Sequence, residues 1–93
     1  MIFWKCAAMA DRQNIIQFIA KDDRKAAIKL GDAIMEKTLA LAEFPELGRV
    51  GMIKGTRELI VHLNYLIIYR VLVTPTETRI EILRIKHAKQ QMP

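Results

Sequence analysis

The chain has 93 residues, of which 52% are hydrophobic and 27% charged. That is enough for one domain around a single modest core, and it excludes a disordered chain. Met1–Ala10 lacks the long apolar segment and cleavage site of a secretory signal. The most apolar stretch, Leu59–Val73, is broken by His62, Asn64 and Arg70 and is too short to span a bilayer. A lone cysteine, Cys6, cannot form an internal disulfide, so a cytoplasmic protein with no membrane role is expected. The net charge is +5. Residues 1–46 carry seven Lys/Arg and seven Asp/Glu, whereas residues 47–93 carry eight against three, so the whole surplus lies in the second half. Such asymmetry favours an anionic partner, nucleic acid or acidic protein, although solubility alone also accounts for a basic balance.

Taken in order, Ile2-Phe3-Trp4 is a short apolar run fit for a strand. From Ala7 to Lys21 the period changes to that of an amphipathic helix. Ala8, Ile15, Ile16 and Ile19 lie on one side with Phe18 flanking, and Gln13, Gln17 and Lys21 lie opposite. Asp22-Asp23 interrupts the pattern and supplies a cap for a second helix. That helix, Arg24–Glu43, is the clearest periodic segment. Ala27, Leu30, Ile34, Thr38 and Leu41 share a face, widened by Met35, Leu39 and Ala42. Two helices with so short a link form an antiparallel hairpin.

Phe44-Pro45 ends the second helix, because proline disfavours helical geometry in the residue before it. Glu46–Gly55 reads as a loop with glycines at 48, 51 and 55. Strands come next over Arg57–His62 and Tyr65–Leu72, separated at Leu63-Asn64, where asparagine tolerates the left-handed conformation of a tight turn. Thr74–Thr78 is a second turn, Arg79–Ile85 the last strand, and Lys86–Pro93 a polar basic tail. The order β-α-α-β-β-β predicts an α+β fold, a single domain in which an N-terminal helical hairpin packs on a mainly antiparallel sheet. Apolar residues occupy both parities of these strands while one hairpin supplies cover. An apolar patch ringed by Arg and Lys, on the sheet or in the groove beside the helices, is therefore expected.

Much familiar chemistry is missing. The chain has no serine, which excludes a Ser-His-Asp site, and Cys6, His62 and His87 lack zinc-ligand spacing. Cys6 is expected as a small buried residue. Lys54-Gly55-Thr56 has the wrong order for a phosphate-binding loop. The groups that remain form a basic set with two histidines and a tyrosine: Arg57, His62, Tyr69, Arg70, Arg84, Lys86, His87 and Lys89. A metal-free RNA-cleaving site needs groups of this kind, cations for the phosphorane and an acid for the leaving oxygen. The competing reading ties Arg70 and Arg84, in mid-strand, to carboxylates or carbonyls, because a charge in a central strand must be paired. Arg57 and His87 stand at strand ends, where sites are displayed.

The helix-one pattern Ala7-Ala8-Met9-Ala10-Asp11 through Phe18-Ile19-Ala20 and the segment Phe44-Pro45-Glu46-Leu47-Gly48-Arg49 resemble the RelE/ParE toxin superfamily. So do Gly55-Thr56-Arg57-Glu58-Leu59, Asn64-Tyr65-Leu66-Ile67-Ile68-Tyr69-Arg70 and Ile82 to Gln91. The resemblance covers nearly the whole chain. It implies a type II toxin that needs no cofactor or metal, encoded beside an acidic protein antitoxin that neutralises it and reaches operator DNA only through that antitoxin. The superfamily holds two activities. RelE-like toxins cleave mRNA in the ribosomal A site with basic residues on the sheet and near the C-terminus; ParE-like toxins are associated with poisoning DNA gyrase.

On the nuclease side, the resemblance nominates Arg57, His87 and Lys89 as catalytic groups. On the gyrase side it nominates Arg57, Tyr69, Arg84, Lys86 and Lys89 as target- or partner-binding residues. Arg57 matches one basic position of the RelE pattern, but Leu59 stands at the next, and Leu66 stands where those nucleases carry an arginine before the strand tyrosine. Loss of such a phosphate-binding cation costs a nuclease on the order of 10²–10³ in rate if it acts like an oxyanion-hole donor. The balance favours ParE-like action on gyrase, with the mRNA endonuclease as the alternative and an inactive, antitoxin-binding homologue as a third reading.

Overall fold

The structure, a computed structural model, describes residues 1–90, and the side chains of Leu63 and Gln90 fall outside that description. The end of the expected basic tail, residues 91–93, therefore lies outside the described residues. Strand β1 (Ile2–Trp4) leads into helix α1 (Cys6–Ala20) and helix α2 (Arg24–Glu43), followed by β2 (Arg49–Val50), β3 (Arg57–Val61), β4 (Tyr65–Val73) and β5 (Thr78–His87). The two helices pack on one five-stranded sheet of order β1-β5-β4-β3-β2. All neighbours are antiparallel except β1, which runs parallel to β5.

Local chemistry sets the element ends. The Asp23 carboxylate accepts the Ala26 N–H at 3.0 Å, capping α2. At the far end the Phe44 N–H returns to the Ala40 carbonyl before Pro45 stops the helix. Between β3 and β4 the chain makes a 3₁₀ turn over His62–Asn64, and Asn64 takes φ 62°, the left-handed value its side chain tolerates. One element is not visible in the sequence pattern. β2 is a two-residue strand inside the expected loop, too short for any periodic signal, pairing Arg49 with Glu58 and Val50 with Arg57. The last strand also runs two residues further than expected, so Lys86 and His87 belong to the sheet and not to the tail.

The core lies between the hairpin and the sheet. Ala8 of α1 and Leu30, Ile34 and Leu41 of α2 meet Leu59, Val61, Ile67, Tyr69, Ile80, Ile82 and Ile85. The five residues expected on the inner face of α2 are the five that are buried. Its expected widening fails: Met35 and Leu39 are 39% and 61% exposed and Ala42 is exposed, because α2 has sheet on one side and α1 on another, leaving its third side open. Cys6 is likewise exposed, at the first position of α1, where the side chain points away from the packed face.

Candidate interaction site

On the sheet face turned away from the helices, the basic half of the chain is largely neutralised by its own acids. Glu58 is 3% exposed and takes two bonds from Arg49, at 3.2 and 3.1 Å, and one from the Met52 N–H at 3.1 Å. Glu81, 5% exposed, accepts from Arg70 at 2.7 Å and has Lys5 at 3.9 Å. The hydrogen bond from Arg70 outweighs the cost of burial and, with the charges of Lys5 and Arg79, holds the Glu81 carboxyl below its ordinary value. Arg79 pairs with Glu77 and stacks over Phe3 at 4.4 Å. The pairing of Arg70 is the one its mid-strand position demands.

Arg84 is paired too, with a residue 73 positions away. Asp11 of α1 receives its Nε at 2.7 Å and its Nη2 at 3.0 Å, and also takes the Ile85 N–H at 3.0 Å. β4 and β5 slip register between Ile68 and Tyr69, which sets Arg84 opposite Ile68 and Ile82 opposite Tyr69, so β5 carries an extra residue there. Asp11 closes the hydrogen bonding of that bulged segment beyond the end of β1. Burial disfavours its charge, but the bonds from Arg84 and Ile85 and the nearby Lys86 overcome that cost and keep its pKa below the ordinary value. Asp11 belongs to the helix-one pattern that carries the family resemblance, but nothing local marked it as a partner of Arg84; the signal available was that a mid-strand arginine needs a carboxylate.

Tyr69, nominated as a contact residue, is fully buried. Its hydroxyl accepts the Gly48 N–H at 2.8 Å and donates to the Pro45 carbonyl at 2.8 Å, so it anchors the loop after α2 to the sheet. Burial pushes its pKa up. Gly48 is required by this approach: a Cβ there would stand 2.8 Å from the tyrosine ring and 2.9 Å from the Glu58 carbonyl.

Removing the paired arginines leaves Lys54, Arg57, Lys86 and Lys89 as the second-half cations without a carboxylate within 4 Å among the described residues. They fall into two groups. Arg57 donates to the Gly48 carbonyl at 2.7 Å and sits opposite Tyr69. His87 sits opposite Tyr65, the first residue of β4 and four before Tyr69, their rings edge to face at 5.2 Å, and its Nδ1 accepts the Lys89 N–H at 3.2 Å. At about 3.4 Å per residue and 4.8 Å per strand, Arg57 and His87 lie roughly 16 Å apart. The structure thus brings Lys86, His87 and Lys89 together at one end of the sheet and leaves Arg57 at the start of β3, beside the middle of β4.

The Arg57 end holds the apolar groove. It has a volume of about 770 Å³ and is lined by Phe44, Leu47, Val71 and Val73, with Glu43 and Glu46 beside them. Its rim is therefore not the ring of Arg and Lys expected from the sequence. Two acids stand there, and Arg57, its one cation among the described residues, is engaged with a carbonyl. On the opposite sheet face Leu66 and Ile68 are buried, and Ile60 and Leu72 are 50% and 37% exposed. Among the described residues no group of three or more His, Cys, Asp or Glu could hold a metal, and no helix is long and apolar enough to cross a membrane.

Comparison with known proteins agrees with this architecture. A solved chain of the chromosomal ParDE TA system from P. aeruginosa superposes with a TM-score of 0.76 at 24% identity, covering 92% of each chain. A YoeB/ParE toxin from Agrobacterium tumefaciens superposes at 0.63 with 15% identity, covering 92% of this chain and 96% of that one. At such identities they speak for the fold. In sequence, the "Putative toxin Y4kP" of Sinorhizobium fredii (strain NBRC 101917 / NGR234) is 40% identical over 93 residues, 99% of this chain and 92% of that protein. The family model described as the ParE toxin of the type II toxin-antitoxin system parDE matches residues 2–92. This chain therefore belongs to the ParE toxin family of type II toxin-antitoxin systems.

Proposed function

We propose that this toxin arrests growth by binding DNA gyrase in the cytoplasm, breaking no bond itself, and that an acidic antitoxin encoded beside it neutralises it and alone contacts operator DNA. The observation that carries the reading is the separation of Arg57 from His87 and Lys89. Phosphoryl chemistry needs its cation and its acid within hydrogen-bond reach of one phosphate, and here the two backbone positions stand two strands and four residues apart, roughly 16 Å. Leu59 and Leu66, where RelE-like nucleases carry cations, are buried at 9% and 1% exposure. Among the described residues of the second half, Lys54, Lys86 and Lys89 have no carboxylate within 4 Å, and Lys86 and Lys89 lie together at the end of β5. A pair of lysines supplies attraction to an anionic surface but no acid or base of its own near neutral pH.

Induction of the toxin in cells tests this. A DNA-damage response with filamentation, together with inhibited supercoiling by purified gyrase, is expected. Rapid loss of translation with codon-biased mRNA ends would overturn it in favour of the endonuclease. Normal supercoiling with neither response would leave an inactive antitoxin-binding homologue.

A further inference from the structure

Next to the acid-rimmed groove the chain projects a finger. The segment between β2 and β3 is ordered by its own hydrogen bonds: Gly51 N–H to the Thr56 carbonyl at 2.8 Å, and both the Thr56 N–H and hydroxyl to the Ile53 carbonyl at 3.1 and 2.6 Å. Gly55, at φ 83°, supplies the left-handed residue that this four-residue turn needs. Met52 N–H bonded to Glu58 fixes the finger to the sheet. Yet its side chains face solvent: Val50 is 79% exposed, Met52 58% and Ile53 65%, with Lys54 at the tip. A tip held this firmly, and apolar, is built for contact; a mere connection would carry polar residues there.

The groove has the complementary character. Phe44, Leu47 and Val73 are 59%, 46% and 77% exposed, and Glu43 and Glu46 flank them. Finger and groove adjoin, since Val50, Gly55 and Thr56 share a depression with Arg57 and Val71, two residues that also line the groove. One patch thus carries an apolar projection with a lysine and an apolar recess with two glutamates. A two-fold axis between them places the finger of each copy in the groove of the other, which is the self-complementarity an isologous dimer requires. An acidic antitoxin segment would meet Glu43 and Glu46 unfavourably.

We propose that this end of the molecule is a homodimer interface in which Met52 and Ile53 of one copy enter the Phe44–Leu47–Val73 groove of a second copy and Lys54 pairs with Glu46. Few side chains make this contact, so the dimer is weak, with dissociation constants on the order of micromolar or above. Sedimentation velocity on the purified chain over a hundredfold concentration range tests it. The expected result is a concentration-dependent shift from monomer to dimer. Ile53→Glu, at an exposed position and with an unchanged thermal melt, abolishes the shift. Lys54→Glu weakens dimerisation about tenfold, and Lys54→Glu combined with Glu46→Lys restores it. A wild-type chain that remains monomeric throughout overturns the proposal, and so does a dimer that Ile53→Glu leaves intact. Binding of an antitoxin that Ile53→Glu and Glu46→Lys abolish, with no self-association of the free toxin, would assign the patch to the antitoxin instead. Gyrase inhibition is a separate readout, so failure here leaves the proposed target untouched.

Discussion

At the residue scale the molecule depends on polar groups that are buried and fully used. Tyr69 is the clearest. Tyr69→Phe keeps the ring but strands the Gly48 N–H and the Pro45 carbonyl, each of which loses its partner. An unsatisfied buried group costs about 1–3 kcal/mol, so a loss in that range is expected in urea unfolding, against almost none for Tyr65→Phe at the half-buried rim. Gly48→Ala should cost at least as much, since its Cβ would overlap Tyr69 and Glu58 backbone. Asp11 makes a prediction about pH. Its folded pKa is depressed relative to the ordinary 3.8, and that of Glu81 relative to 4.5. A depressed carboxylate contributes stability in full above its unfolded value and loses it as pH falls through the folded one. Stability should therefore be level above about pH 5 and decline as pH falls below about 4. Asp11→Asn, measured by denaturation at several pH values, should be less stable near neutral pH by about 1–2 kcal/mol and show a shallower decline in acid. An unchanged acid slope would remove Asp11 from the account.

At the scale of elements, legibility tracks pattern length. α2 shows its inner face over twenty residues, and periodicity finds all five of its buried positions. Leu30→Asp or Ile34→Asp, at positions with no solvent exposure, should prevent stable folding, whereas Asp32→Ala on the outer side should melt like the parent; equal melts of all three would sink the assignment. The β3–β4 turn is legible from Asn64 alone, because few other residues accept φ 62°. β2 is not, since two residues have no period, and its pairing is fixed by Glu58 gripping both Arg49 and the Met52 N–H. The site is less legible than the fold for a related reason. Sequence places Arg57, Tyr69, Arg84, His87 and Lys89 on adjacent strands, but register and burial decide which of them meet. Register separates Arg57 from His87, burial removes Tyr69, and a carboxylate 73 residues away occupies Arg84.

At the scale of the whole molecule, the charge surplus of residues 47–93 is eight cations against three acids in sequence, yet Asp11 from the other half takes a fourth arginine out of play. The cations that project outward near the last strand are Lys86 and Lys89. If attraction to an anionic target depends on net field, any lysine should matter equally; if it depends on this end of the sheet, position should matter. Lys86→Glu with Lys89→Glu should therefore reduce toxicity well beyond Lys25→Glu with Lys29→Glu on the exposed side of α2, although both pairs change the net charge by the same amount. Each pair is exposed or half-buried and has no carboxylate within 4 Å among the described residues, so both variants should fold. On the proposed gyrase reading, His87→Ala in the same growth assay should leave arrest largely intact, because binding without bond cleavage needs no proton from it. A folded His87→Ala variant without toxicity, alongside a Lys86/Lys89 reversal that behaves like the α2 control, would place the chemistry at His87 and turn the reading toward an endonuclease.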